Sequence, residues 1–447
     1  MAKKRRKPKA QNRPRSNKDN SIESAIRLHQ AGKLAAAEKA YRRALRSNPR
    51  DPHALYLCGV VNAQLENHTD AIDLLRQAVE LNPDHPQSLS ELAKLYQLTG
   101  QLEESATTLR QLIALRPDIG DLHNNLAIVL KQLDQPDEAK AACQTAIEMN
   151  PDRAEPRATL ASIQRQLGAF EEAAASYRQA IELDPNLDGI YRDLIATLRD
   201  HGQSDEIAAV AEAWLQHEPE NPVAHHMLAI YGDAATPERT SDGYVREVFD
   251  EFAATFDESL QGLDYQGPQL IARALAEEPG DTPPLPDVLD AGCGTGLCGP
   301  VLRPISTRLI GVDLSSMMLE RAKKLDLYDQ LVEAELTGYL EQHHKSYDLI
   351  VAADTFNYFG ALPALLEAAA SALKESGRLI FTLEHSEDAD ATDGYQLNPN
   401  GRYSHQEDYV KTCLADQGLD ITCLTRATLR KEKDQPVAAL VISARKG

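Results

Sequence analysis

The sequence predicts two folds in one chain: an all-α superhelix of stacked helix pairs, then a doubly wound, Rossmann-like α/β domain whose sheet ends in an antiparallel hairpin. Three observations predict this. Prolines recur at a fixed interval through the first half, and extended and helical segments alternate through the second. Between them, "VLDAGCGTGLCG" (288–299) sets four glycines directly behind an apolar run.

A length of 447 residues exceeds what one hydrophobic core organises, so more than one domain is expected. Hydrophobic residues make up 42% and charged residues 26%, and no stretch approaches the ~20 apolar residues of a membrane span. The opening "MAKKRRKPKAQNRPRSNK" has no apolar core, unlike a secretory signal. It carries +9, so the formal net charge of −21 leaves −30 for the remainder. We expect residues 1–17 to be a disordered basic tail, able at most to touch nucleic acid or a ribosome weakly through phosphates. Six cysteines without CxxC pairs or metal-ligand spacing read as reduced thiols of a cytoplasmic protein, with no metal site.

Pro49, Pro83, Pro117, Pro151, Pro185 and Pro219 stand 34 residues apart, the period of the tetratricopeptide repeat (TPR), two antiparallel helices closed at the proline. Small and large positions follow: Gly59, Ala71, Leu75 and Ala78 in one unit, Ala161, Gly168, Ala173, Tyr177 and Ala180 in another. Six units are expected over 18–221, forming a groove for a protein or peptide. The sixth positions (Glu23, Leu57, Glu91, Asn125, Thr159, Asp193) form no asparagine ladder. The twelfth positions of three consecutive units carry Lys131, Arg165 and Arg199. That stripe is expected to contact an acidic segment or a peptide carboxylate, against the plainer reading of solvated surface charge.

Breakers in "YGDAATPERTSDG" (231–243) mark a linker over 222–243, with the second domain at 244–447. Phe249, Phe252, Phe256 and Leu260 fall on one face of a helix, which gives a helical lid over 244–276. "EEPGDTPPLP" (277–286) ends that pattern, and the sheet core is expected over 285–447. Strands are predicted at 287–292, 308–313, 330–336, 348–354 and 377–384, with helices around 315–325 and 362–375. "DITCLTRATLRKEKDQPVAALVISARK" (420–446) predicts the hairpin.

The glycine stretch satisfies two patterns. Gly294, Gly296 and Gly299 spell GxGxxG, with Asp313 about 20 residues beyond the start, as a dinucleotide site requires. The same stretch is "LDAGCGTG", with Asp290 closing its strand and Asp313 closing the next. There the sequence resembles the class I S-adenosylmethionine-dependent methyltransferases, across about 240–447. More narrowly, "VFDEFAATFDESL", "VAADTFNYFG" and "GRYSHQEDYV" are similar to predicted bacterial methyltransferases that carry TPR repeats. Charge favours this reading over an NAD(P)-dependent oxidoreductase. Asp290, Asp313, Glu335 and Asp354 all fall at strand ends, where such sheets bind ligands, and four acids suit a sulfonium and repel a pyrophosphate.

The resemblance implies S-adenosylmethionine as cofactor. Gly292, Gly294 and Gly296 would pass beneath it, with Cys293 in the same loop, and Asp290 would lie near its amino group. Asp313 would accept both ribose hydroxyls. Leu314 and Met317 would lie beside the adenine, Glu335 would accept from its exocyclic nitrogen, Leu336 would belong to the same cofactor site, and Asp354 would line the cavity behind the methyl. Methyl transfer demands alignment more than acid–base groups; where a base is used, the candidates are Asp354, His405 and His385. Single acids of this kind otherwise serve as helix caps or surface carboxylates. "DADATDG" (388–394) lacks the spacing of a calcium loop, and the pairs His225–His226 and His343–His344 read as structural. The expected function is a methyltransferase whose repeats recruit a protein substrate. The alternatives are a TPR scaffold that binds cofactor without turnover and a small-molecule methyltransferase.

Overall fold

The computed structural model describes residues 19–233, 235–277, 285–387, 393–432 and 434–447. The basic tail, most of 277–286 and most of 388–394 lie outside them. Contacts divide the chain after Gln203 into two units.

The first unit is a run of helix pairs: α1 (Asp19–Gln30) with α2 (Leu34–Ser47), α3 (Pro52–Gln64) with α4 (His68–Leu81), α5 (Pro86–Leu98) with α6 (Leu102–Leu115), α7 (Gly120–Gln132) with α8 (Pro136–Met149), and α9 (Glu155–Gln166) with α10 (Phe170–Leu183). Helix α11 (Ile190–His201) ends it. One left-handed residue follows the first helix of each pair and also α11: Gly32, Glu66, Gly100, Asp134, Gly168 and Gly202, with φ between 58° and 77°. They repeat the interval of the prolines, and glycine holds four of the six because a side chain costs energy there. Close packing explains the small residues. A Cβ on Gly59 would lie 2.7 Å from Leu75 Cγ, while Tyr41 and Tyr177 are fully buried between alanines of their own helices.

The twelfth positions have a structural task that the expected binding stripe overlooked. His29 bonds Gln64 at 2.9 Å, Gln97 donates to Gln132 at 3.2 Å, and Arg165 donates twice to Asp200 at 3.0 and 2.8 Å, each 35 residues on. Lys131 donates to Ser162 at 2.8 Å. Four of the six twelfth positions thus bond the following repeat. Two of the three basic residues expected to face a partner already hold neighbours, because side chains at the same place in consecutive repeats lie within reach of the following helix.

The second unit opens with α12 (Ile207–His217) and α13 (Pro222–Tyr231), so the expected sixth repeat straddles the division. Much of the expected linker is helix: Asn221 caps α13, with Pro222 in its first turn. His226 is buried, packs against Tyr244 with ring centroids 3.8 Å apart and the rings tilted by 32°, and bonds the Gly401 carbonyl. Further on, Thr240 N–H donates to Tyr358 O, and Gly360 and Ala361 N–H donate to Glu238 O.

Three helices follow, α14 (Asp242–Phe252), α15 (Phe256–Gly262) and α16 (Gly267–Glu277). The single aromatic face expected over 249–260 is therefore broken. Seven residues of continuous helix would separate Phe249 and Phe256 by about 10 Å; the break brings their rings to 5.8 Å, edge to face, and leaves Phe252 half exposed.

The sheet comprises β1 (Leu285–Ala291), β2 (Ser306–Asp313), β3 (Gln330–Glu333), β4 (Tyr347–Ala352), β5 (Leu373–His385), β6 (Tyr395–Leu397), β7 (Tyr403–His405), β8 (Leu419–Glu432) and β9 (Gln435–Lys446). Strands β3-β2-β1-β4-β5 run parallel in that order. Strand β9 pairs antiparallel with β5, and β8 with β9, which makes the predicted hairpin. Strand β7 pairs with β5 at Glu384 and His385.

Short helices α17 (Gly299–Leu302), α18 (Ser316–Lys323), α19 (Leu336–Glu341), α20 (Pro363–Ala372) and α21 (Glu407–Asp416) complete the doubly wound arrangement. Alternation sorts the strand residues between two cores. Val288, Leu349 and Val351 pack with α16 and α17, whereas Leu289, Ile350 and Ala352 pack with α19, α20 and α21. The consequence for function is that every β-to-α connection after β1, β2, β3 and β4 opens at one edge.

Candidate active site

At that edge the structure forms a cleft of 1110 Å³, its open mouth included. The glycine loop leaves β1 with Gly292 and Cys293 N–H both donating to Val312 O, at 2.8 and 3.0 Å. Gly292, Gly294 and Gly296 all have positive φ, and a side chain would meet different surroundings at each. A Cβ on Gly292 would strike Thr355 at 2.3 Å, and one on Gly296 would press Leu325 and Tyr328. One on Gly294 would meet nothing within 4 Å, so the space above Gly294 is what a side chain would fill.

The four acids predicted at strand ends all line this cleft, but their surroundings differ. Asp290 is 1% exposed and accepts from Tyr328 Oη at 2.7 Å. Burial, with some help from the charge of Asp313, pushes its carboxyl up to about 7 against the Tyr328 hydrogen bond. Asp313 accepts from Gly294 N–H at 2.8 Å and Ser315 N–H at 2.9 Å. Burial still raises it, because these backbone donors only partly offset the lost solvation.

Glu335 caps α19, accepting from Thr337 and Gly338 N–H at 3.0 and 2.7 Å, and pairs with Arg239 at 2.8 Å. Burial works to raise its carboxyl, yet these partners hold it below the usual range. Its expected contact with an adenine nitrogen therefore competes with a helix cap. Asp354 stands at φ 58°, accepts from Asn357, and pairs at 3.3 Å with Arg430, which is fully buried. Arg430 also binds Glu384 and Glu432.

Both histidine candidates lie elsewhere. His405 is fully buried in β7, its Nε2 bonded to Gly360 O, and burial lowers it to about 4. His385, at the end of β5, is lowered by burial and by nearby Arg426, and does not line the cleft. Two further expectations need correction. Met317 is 46% exposed, while Met318 is 1% exposed and lines the cleft; the cap at Ser315 sets the phase of α18 one residue differently. Gly296 does not line the cleft but seats the loop against Tyr328. Leu314, Leu336 and Cys293 do line it.

In the far half of the cleft the expected lid residues Phe249, Phe256 and Leu260 form a wall with Tyr265, Tyr358 and Phe359, which the sequence reading misses. Arg402 lies there too, donating to Tyr358 Oη and Glu432, both at 3.2 Å. No histidine among the described residues lines the cleft. No group of three or more metal-ligand side chains occurs among the described residues.

Comparison with known proteins agrees with the two folds. Residues 263–424 match a methyltransferase domain family, and residues 23–86, 63–127 and 118–186 match tetratricopeptide repeat families. The chain thus carries tetratricopeptide repeats followed by a methyltransferase domain. It is 33% identical over 99 residues to a malonyl-[acyl-carrier protein] O-methyltransferase of Priestia megaterium, covering 21% of this chain and 35% of that one. It is 29% identical over 134 residues to a carboxy-S-adenosyl-L-methionine synthase of Helicobacter hepaticus, covering 29% and 56%. The chain therefore spans about a third of the first relative and little more than half of the second. Among solved structures it is similar to MamA of Desulfovibrio magneticus, at 18% identity over 39% of this chain and 98% of that one, with a TM-score of 0.37. No helix among the described residues is long and apolar enough to cross a membrane.

Proposed function

We propose that the second domain binds S-adenosylmethionine in this cleft and transfers its methyl group to a protein that the repeats recruit. One observation carries the reading. Asp290 is buried and Asp313 half-buried at the ends of adjacent strands, burial raises both carboxyls, and neither has a cationic partner among the described residues. Buried negative charge without a counter-ion is costly, and a cationic ligand removes that cost. A pyrophosphate would increase it.

The residues fit such a ligand. Open space above Gly294 receives a body that no side chain occupies. Backbone N–H groups of Gly294, Ser315 and Leu314 orient the Asp313 carboxylate, whose two oxygens offer about four acceptor sites in all and so leave room for a ribose hydroxyl. Leu314, Met318 and Leu336 supply apolar surface beside it. We leave Glu335 out of the donor contacts, since its cap and Arg239 already claim it.

When bound, the sulfonium supplies an already activated methyl group. The chain's own part is alignment and exclusion of water. The aromatic walls of the far half give that region an apolar lining, and Arg430 and Asn357 hold the Asp354 side chain in place.

The test is calorimetry of the full chain with S-adenosylmethionine, then radiolabelled methyl transfer in a cell lysate. Label on a protein supports the reading. Label in the small-molecule fraction overturns the choice of acceptor, and binding with no labelled product favours a scaffold.

A further inference from the structure

The helices over the cleft carry two aspartates in a repeated Phe-Asp pair seven residues apart, Phe249-Asp250 and Phe256-Asp257. The phenylalanines wall the cleft, while the aspartates reach past it to the sheet edge. Asp250 accepts from Ser315 Oγ at 2.5 Å and from Met317 N–H at 3.4 Å. Asp257 accepts from Thr295 Oγ1 at 2.6 Å and pairs with Arg321 at 2.9 Å. Arg321 also donates to Ala254 O, in the break between the two helices. Ser315 and Thr295 are buried, at 0% and 4% exposure, so their hydroxyls depend on these partners.

The attachment points are not arbitrary. Asp313 accepts from Ser315 N–H on one oxygen and Gly294 N–H on the other, with Leu314 N–H as a further backbone donor. Asp250 holds Ser315 itself, and Asp257 holds Thr295, the residue next to Gly294. The two aspartates of the covering helices therefore grip the two segments that orient Asp313.

We infer that Asp250 and Asp257 are positioning residues of the donor site: by fixing the Ser315 and Gly294–Thr295 backbones they set the Asp313 carboxylate, so closure of α14–α15 and a gripping Asp313 form together. Charge-assisted bonds to buried hydroxyls suit this task, being strong when formed and readily replaced by water when the helices lift. The inference rests on the reading above that the cleft takes S-adenosylmethionine.

The experiment uses the full chain, as wild type and as Asp250→Ala, Asp257→Ala, Thr295→Val and Thr295→Ser. Dissociation of radiolabelled S-adenosylmethionine is followed after dilution into unlabelled donor. Backbone hydrogen exchange of the ligand-free proteins is followed over 292–296 and 313–318.

The first three variants should release donor faster by roughly tenfold, the factor carried by one charge-assisted hydrogen bond, and should exchange faster at Gly294 or Ser315. Thr295→Ser, which keeps the hydroxyl, should behave as wild type. A purely structural role would lower the melting temperature without this separation of Val from Ser. Wild-type release together with unchanged exchange in the aspartate variants overturns the inference. Failure of the wild type to bind donor overturns the function proposed above instead, and the exchange of Gly294 and Ser315 then decides the positioning role alone.

Discussion

Asp290 can be tested by replacing it with its neutral isostere, Asp290→Asn. An aspartate normally titrates near 3.9, and here burial pushes the carboxyl up to about 7. The folded state therefore prefers the protonated acid. Stability that is fully present below about pH 4 is lost as pH rises through the folded pKa near 7, because the unfolded chain gives up its proton more readily. The difference between about 3.9 and about 7 corresponds to roughly 4 kcal/mol across that window.

Asparagine carries no charge to bury and still offers an oxygen to Tyr328. The variant should therefore unfold at higher temperature than wild type at pH 8, and the gap should close toward pH 4. Thermal melts of both proteins at intervals from pH 4 to 9 measure this. Donor binding should move the opposite way. A cation in the cleft favours the ionised carboxylate, so wild-type affinity should rise with pH through about 7, with proton release on binding. Calorimetry in buffers of different ionisation enthalpy counts those protons. Asp290→Asn should bind weakly at every pH and release fewer protons than wild type. Parallel stability curves for the two proteins from pH 4 to 9 would refute the argument that this carboxylate is buried at a cost.

Two further substitutions separate the cleft from the core. Gly294→Val places a side chain in the open space above the loop, at a φ of 54° that disfavours any Cβ. Calorimetry should find no donor binding, while the melting temperature falls by only the few degrees that about 1–2 kcal/mol of left-handed strain implies. Arg430→Met should act through the fold, since it leaves Glu384 and Asp354 without their buried cation; a loss of about 3–5 kcal/mol should appear in urea unfolding.

Features that repeat, or that lie close together along the chain, are legible in the amino-acid sequence itself. The 34-residue interval announces helix pairs because each repeat solves the same packing problem, and the left-handed turns at Gly32, Gly100, Gly168 and Gly202 fall on that same interval. The glycine loop and Asp313 are readable for a similar reason: short β-to-α connections in a parallel sheet bring the ends of successive strands to one edge. That rule places Glu335 and Asp354 at the cleft, but not their partners. Arg239 and Arg430 come from 96 and 76 residues away, and no local pattern encodes such pairings.

Phase and depth are decided only by tertiary packing. Whether Met317 or Met318 faces inward depends on where the Ser315 cap starts its helix, a shift of one residue. His405 reads as a candidate base in "GRYSHQEDY", yet it is buried in a strand that pairs at the end of β5. The Phe-Asp pairs at 249–250 and 256–257 are a visible signal, and their spacing suggests one helix face. The break between α14 and α15 instead turns both phenylalanines to the cleft and both aspartates to the sheet edge. Periodicity reports which residues share a face, because it follows from backbone geometry alone; which group that face meets depends on distant parts of the chain, and folding alone supplies them.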